Sequence, residues 1–201
     1  MKFGKWEIDA PTNGGNSAPL LVVFFDAEDE DESGRCVVDA LFREAYRVAV
    51  AASCSDANAG ATVVHWARRE ALCRPPHVGD ELLPLHPKHL SRIAMHYGND
   101  SAALTAIVAM CCEEIFKSAV APHALVAELV GAHVTTQDAA AALALLAHTS
   151  RWLATRYDAS RRQFAGVVAL SDCEALRLCA SLYTGHLAAY RRVDGSISPI
   201  R

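Results

Sequence analysis

Closely spaced acidic residues near the N-terminus form the segment with the most specific chemistry in this sequence. Asp29, Asp31, Ser33 and Asp39 supply side-chain oxygens within a short stretch, and Gly34 follows the first three. Oxygen donors at alternate positions before a glycine are the ligands that calcium, a hard cation, prefers. The segment is therefore a candidate metal site.

Residues 29–40 resemble the loop of an EF-hand. In that family, oxygen ligands occupy alternate positions, a glycine permits a sharp turn, and a bidentate glutamate closes the loop. Gly34 stands at the turn, but Ala40 occupies the place of the glutamate, and Asp39 comes one residue too early. The resemblance implies Asp29, Asp31, Ser33 and Asp39 as metal ligands and Ca²⁺ as the ion, with binding that is weak or absent. The competing interpretation is a solvated acidic segment stabilised by the dipole of the following helix.

Two later segments are similar to units of the penta-EF-hand family that have lost their metal. Residues 86–116 are predicted to form a helix, a short loop and a second helix in that order. Residues 134–138 resemble the end of a loop that leads into a helix. The resemblance implies a regulatory or scaffolding module with mostly lost metal sites. Such modules present a groove to a partner helix.

Apolar residues recur at helical spacing along most of the chain, and these stripes predict the elements that would carry the site. The predicted helices cover residues 38–52, 62–73, 90–97, 104–116, 125–130, a stretch from 135 and residues 171–192. Residues 20–25 could form a strand or one helical turn. We therefore predict an all-α fold of about seven helices, paired as degenerate EF-hand units.

Turn-forming residues suggest how the chain is divided. Glycine, proline and asparagine are frequent in residues 1–19, which predicts a flexible N-terminal tail. Residues 20–201 then form a single helical domain. Several prolines within residues 74–88 predict a linker between two halves of that domain.

Histidine and cysteine residues offer weaker chemical signals. His86, His89 and His96 are close in sequence, but no C-x-x-C or H-E-x-x-H spacing accompanies them, which favours surface or capping roles. Cys111 and Cys112 lie in an apolar stripe, which indicates core packing. Because no catalytic motif accompanies these residues, we predict that the protein is not an enzyme.

Composition narrows the partners and the compartment. The net charge of −4, with no basic stripe, argues against direct binding to nucleic acid. No apolar run reaches the length of a membrane span or a signal peptide. Seven cysteines, mostly at positions that look like helix interiors, suit a reducing compartment, and we therefore expect a soluble cytoplasmic protein.

These observations predict a non-enzymatic protein–protein interaction module whose partner is a helix or a larger assembly. The alternative is a metal-free helical adaptor or a structural subunit of an assembly, for example one with a histone-like fold, in which residues 104–130 form a long helix followed by a shorter one. Pro122 and the acidic balance count against that histone-like fold. A third hypothesis is an enzyme that uses scattered histidine and cysteine residues.

Overall fold

The computed structural model describes residues 2–3, 5–8, 19–26, 30–53, 62–69, 82–117, 124–129, 134–156 and 164–200. Within these ranges the chain forms nine strands and five helices. The strands are β1 (Lys2–Phe3), β2 (Trp6–Glu7), β3 (Leu20–Phe25), β4 (Val64–Arg69), β5 (Ile93–Gly98), β6 (Ala124–Leu129), β7 (Gly166–Ser171), β8 (His186–Arg191) and β9 (Ser196–Pro199). The helices are α1 (Glu30–Ser53), α2 (Pro87–Leu90), α3 (Ser101–Lys117), α4 (Thr136–Arg156) and α5 (Glu174–Ser181).

Seven strands form one sheet in the order β5-β4-β6-β7-β3-β8-β9, and β1 and β2 form a separate hairpin. All neighbours in the large sheet are parallel except β8 and β9. Every residue of β3, β6 and β7 is buried, because helices cover both faces of the sheet. Parallel strands of this kind are nearly continuous apolar runs in sequence.

The helices lie in two layers on opposite faces of the sheet. One layer contains α1, with α2 and the β1-β2 hairpin packed beside it, and the other contains α3, α4 and α5. The connection through α1 carries the chain from β3 toward β4, and those through α3, α4 and α5 carry it in the opposite direction along the sheet. Right-handed crossovers require these two groups of helices to lie on opposite faces.

The carboxyl ends of β4 and β6 mark a topological switch point. The chain leaves β4 toward β5 on one side, and it leaves β6 toward β7 on the other. Diverging connections from neighbouring parallel strands open a crevice at this edge of a sheet, where ligands of α/β proteins commonly bind. The two strands that meet here end in polar residues, which include Arg68 and Glu128.

The prediction of an all-α helical bundle with about seven helices is wrong. Residues that were predicted to be helical within 62–73, 90–97 and 125–130 form β4, β5 and β6, and the segment 171–192 contains the short helix α5 followed by β8. Six-residue apolar strands that are buried on both faces have no alternating pattern, so periodicity cannot distinguish them from helical turns. The predictions for residues 38–52 and 104–116 are confirmed by α1 and α3.

The EF-hand and penta-EF-hand resemblance is also wrong. The backbone from residue 30 to residue 53 is one continuous helix, so the loop that would arrange Asp31, Ser33 and Gly34 around an ion does not form. In the second supposed unit, β5 lies in the sheet where an EF-hand needs a helix. The same sheet contradicts the histone-like alternative. The EF-hand loop was the basis for predicting calcium binding, and that basis is lost.

Part of the predicted N-terminal tail and linker lies within the described ranges. The side chains of Phe3, Trp6 and Ile8, from the hairpin region, are buried in the layer of α1. Most of the predicted linker lies outside the described residues, and its last residues lead into α2. Among the described helices, none is both long and apolar enough to cross a membrane.

The start of β7 gives a test of this packing. Gly166 lies against α4 so closely that an added Cβ would be 2.5 Å from Ser150 Oγ and 2.8 Å from Leu20 Cδ1. We expect Gly166→Ala to lower the free energy of unfolding by about 1 to 3 kcal/mol, because a close-packed core cannot absorb the methyl group without shifting. Urea unfolding followed by circular dichroism measures this difference.

A second substitution separates this clash from a general effect of alanine. Ser150→Ala removes the hydroxyl that the new methyl would meet, so the double variant should recover part of the stability that Gly166→Ala loses. Simple additivity of the two substitutions would contradict the described contact between β7 and α4.

Candidate metal centre

Pairing between β4 and β5 brings two histidines together on one face of the sheet. In the parallel register, His65 is opposite Ala94, and His96 is opposite Ala67. Because side chains alternate along a strand, His65 and His96 share a face as diagonal neighbours. Their rings are parallel to within 6°, with centroids 5.7 Å apart.

Helix α3 adds a thiol to this pair. Cys111 is fully buried under the sheet face that carries both histidines. One ring nitrogen of each histidine and the Sγ of Cys111 lie within 4.8 Å of one another. His65 Nδ1 and His96 Nε2 are buried, and neither has a hydrogen-bond partner in the described part of the chain. We call His65, His96 and Cys111 the His-His-Cys cluster.

Glu114 lies beside this cluster. It follows Cys111 by three residues on α3, a spacing that places both side chains on the same side of a helix. Its Oε2 is 3.8 Å from His65 Nδ1. The Glu114 side chain is 52% exposed and that of His65 only 13%, so the carboxylate lies on the solvent side of the cluster.

Burial favours the neutral forms of His65 and Cys111 in the absence of an ion. The pKa of His65 is lowered by burial and by His96, and Glu114 only partly opposes this shift. Burial raises the pKa of the Cys111 thiol to about 12, and Glu114 and Cys112 act in the same direction. Neutral imidazole already has a lone pair for a metal, whereas the thiol must lose its proton when an ion binds.

The donors of the cluster fit zinc better than calcium. Zinc binds imidazole nitrogen and thiolate sulfur at about 2.0 to 2.3 Å in a tetrahedral arrangement, whereas calcium requires six to eight oxygen ligands. A tetrahedron of this size separates its ligand atoms by about 3.5 Å. The cluster spans up to 4.8 Å, so the side chains would have to close by about 1 Å around an ion.

The calcium ligands predicted from sequence do not join this cluster. Asp39 lies on α1, on the opposite face of the sheet from α3, and it is half-buried. Asp31 and Ser33 belong to the first turns of the same helix, and Asp29 lies outside the described residues. Metal binding by these four residues stays a prediction.

The structure separates the histidines that lie close together in sequence. The ring of His86 caps α2 by accepting a hydrogen bond from the Lys88 backbone N–H to Nδ1 at 3.1 Å, which confirms a capping role. His89 lies beside it, with ring centroids 5.5 Å apart. His96 instead joins His65, which sequence reasoning missed because β4 and β5 were interpreted as helices. Cys111 is buried in the core as predicted, but its Sγ also lies within 4.8 Å of one ring nitrogen of each histidine.

A second polar pair lies on the opposite face of the same strands, at the switch point. Arg68 Nε and Glu128 Oε1 are 3.6 Å apart, and both side chains are almost completely buried. The Trp66 indole N–H lies close enough to favour the charged form of Glu128, although neither carboxylate oxygen accepts a hydrogen bond of ordinary geometry from a described residue. Burial raises the pKa of Glu128 to about 7, although Arg68 favours the charged form and pulls the pKa down.

This pair predicts a characteristic pH dependence of stability. Because the pKa of Glu128 rises from an ordinary 4.5 to about 7 on folding, the folded state keeps a proton that the unfolded state releases. The protonated Glu128 carboxyl therefore makes a contribution to the free energy of unfolding that is fully present below pH 4.5 and is lost as the pH rises to 7. Between pH 5 and pH 8 we expect Glu128→Gln to lose about 2 to 3 kcal/mol less stability than the original protein.

Urea unfolding of chelator-treated protein at the two pH values measures this difference. Glu174→Gln is the matched control, because Glu174 is an exposed glutamate at the start of α5 and should leave the pH dependence unchanged. The account of the buried pair would be wrong if Glu128→Gln and the original protein lost equal stability over this range.

Comparison with protein-family models and with curated proteins finds no match to this chain. The geometry of the described residues therefore carries the functional argument.

Proposed function

We propose that the protein binds a divalent transition-metal ion, with zinc as the best fit, through His65, His96 and Cys111. The observation that carries the proposal is the closeness of one ring nitrogen of each histidine to a buried thiol, with all three donor atoms within 4.8 Å of one another. In addition, His65 Nδ1 and His96 Nε2 are buried without a hydrogen-bond partner among the described residues.

Burying these ring nitrogens without a hydrogen-bond partner costs free energy, which favours a bound ligand over a role in core packing alone. A buried polar atom without a partner costs about 1 to 3 kcal/mol, and native proteins contain few such atoms. Two stacked histidines that served only as core residues would leave this cost uncompensated at both rings. A metal ion offers both nitrogens and the sulfur a partner at once.

The position of the cluster suggests what the ion does for the fold. His65 lies on β4, His96 on the edge strand β5, and Cys111 on α3, so one ion would connect three separate elements. A ligand that binds only the folded state stabilises it in proportion to the logarithm of its concentration. The ion would therefore hold the edge of the sheet against the helix layer.

The sequence-based predictions about the biological role stay open beside this proposal. A non-enzymatic interaction module with a helical or multi-subunit protein partner remains compatible with a structural ion. The five described cysteines are free thiols, which supports the proposal of a reducing, cytoplasmic compartment.

Zinc titration of chelator-treated protein tests the proposal directly. In competition with a chromophoric chelator, we expect one zinc ion per chain. Cys111→Ser should weaken binding by more than about 100-fold, beyond the loss that follows removal of a supporting hydrogen bond. Cys112→Ser is the matched control, because Cys112 is the next residue, equally deep in the core, and not part of the cluster.

The outcome for the two cysteine variants decides the assignment. Retained zinc affinity in Cys111→Ser, or equal losses in both variants, would contradict a site at Cys111. A stoichiometry near zero in the original protein would refute the proposed function itself.

Thermal and chemical unfolding give an independent test of the histidines. Free zinc at 100 times its dissociation constant should raise the free energy of unfolding by about 2.7 kcal/mol. The gain should disappear in His96→Gln and persist in His148→Gln, because His148 is exposed on α4. Stabilisation of the His96 variant by zinc would contradict the role of that ring. Calcium in place of zinc should give no gain that depends on His96.

A further inference from the structure

The ligand set of the His-His-Cys cluster is one member short of a tetrahedral zinc site. Three ligands leave a fourth position, and in structural zinc sites a fourth protein ligand closes it, whereas in catalytic sites that position takes water or a substrate. Glu114 is the carboxylate beside this place: its Oε2 is 3.8 Å from His65 Nδ1, but it lies outside the set of donor atoms that are all within 4.8 Å of one another, so its side chain would rotate inward to bind an ion.

The exposure of Glu114 differs from that of the other three ligands. Cys111 is completely buried and the His65 side chain is 13% exposed, whereas the Glu114 side chain is 52% exposed. Among the described residues, no hydrogen bond is recorded that would hold the Glu114 carboxylate in one place. The fourth position therefore faces solvent, and its protein ligand can rotate away from it.

Charge determines what can replace Glu114. A divalent ion bound by two neutral imidazoles and one thiolate carries a net charge of +1. An uncompensated charge in a partly buried site is costly, so the fourth ligand should be a monovalent anion. The Glu114 carboxylate meets this requirement, and a small external anion meets it equally well.

We infer that the fourth metal position is exchangeable, held by the Glu114 carboxylate in the resting protein and open to a small monovalent anion from solvent. This inference rests on the proposed function, because it requires an ion at His65, His96 and Cys111. It assigns a ligand class to the site: small anions that bind a metal through one atom. The site is then one that can receive an external ligand, in addition to any structural role.

Cobalt substitution with azide as the probe tests this inference. Cobalt(II) occupies zinc sites, has visible ligand-field bands that respond to its coordination, and shows a near-ultraviolet charge-transfer band when a thiolate binds it. Azide should shift the ligand-field bands of the cobalt protein in a saturable way. Glu114→Ala should bind azide about tenfold more tightly, the factor expected if Glu114 holds the position in about nine molecules of ten.

Glu113→Ala is the matched control. Glu113 is the neighbouring glutamate on α3, and it forms an exposed ion pair with Lys117, away from the cluster. This variant should bind azide with the affinity of the original protein. Any metal loss caused by weakened folding would appear as a loss of the thiolate charge-transfer band, which is recorded in the same spectra.

The outcomes separate the two levels of the argument. The ligand-field bands could fail to shift with azide in both the original protein and Glu114→Ala, while the thiolate charge-transfer band is present. This result would overturn the exchangeable position and leave the metal site intact. Equal azide affinity in these two proteins would overturn the role of Glu114. Absence of the charge-transfer band in the original protein would overturn the metal site, and the inference would fall with it.

Discussion

Parallel pairing of β4 with β5 on one side and with β6 on the other determines the positions of two buried polar groups. These are the histidines of the His-His-Cys cluster and the pair of Arg68 and Glu128. Along β4, side chains alternate between the two helix layers, so His65 faces α3, whereas Trp66 and Arg68 face α1. The same register places His96 beside His65 and Glu128 beside Arg68. A slip of one residue would send each of these side chains to the wrong face.

Burying these two polar groups in a sheet that is covered on both faces costs free energy of folding, and the cost is offset differently in each group. Burial raises the pKa of Glu128, and Arg68, with its Nε 3.6 Å from Glu128 Oε1, only partly compensates the carboxylate charge. In the His-His-Cys cluster, burial favours the neutral forms of His65 and Cys111, and an ion would give all three donors a partner. The two groups lie on opposite faces of the strand that they share, β4. The stability of β4 therefore depends on the helix layers on both faces of the sheet.

Sequence reasoning identified the elements that follow helical periodicity and missed those that do not. The long helices α1 and α3 were predicted, and so was the start of α4 near residue 135, where Thr135 Oγ1 accepts a hydrogen bond from the Asp138 backbone N–H at 3.1 Å. The strands β4, β5 and β6 were interpreted as helices because these short segments of a sheet covered on both faces lack a clean alternation of apolar and polar residues. The candidate site could not be predicted for the same reason: His65 and His96 are 31 positions apart, and only their strand register brings them together. A usable signal was present, since each histidine is a lone polar residue inside an apolar run.

X-ray absorption at the zinc edge, on protein loaded with one equivalent of zinc, tests the central claim most directly. The account predicts one sulfur ligand at about 2.3 Å and nitrogen or oxygen ligands at about 2.0 to 2.2 Å, with the outer-sphere scattering of two imidazole rings. A coordination sphere of oxygen and nitrogen without sulfur would contradict it. Two sulfur ligands would also contradict it, because the cluster contains a single cysteine among the described residues.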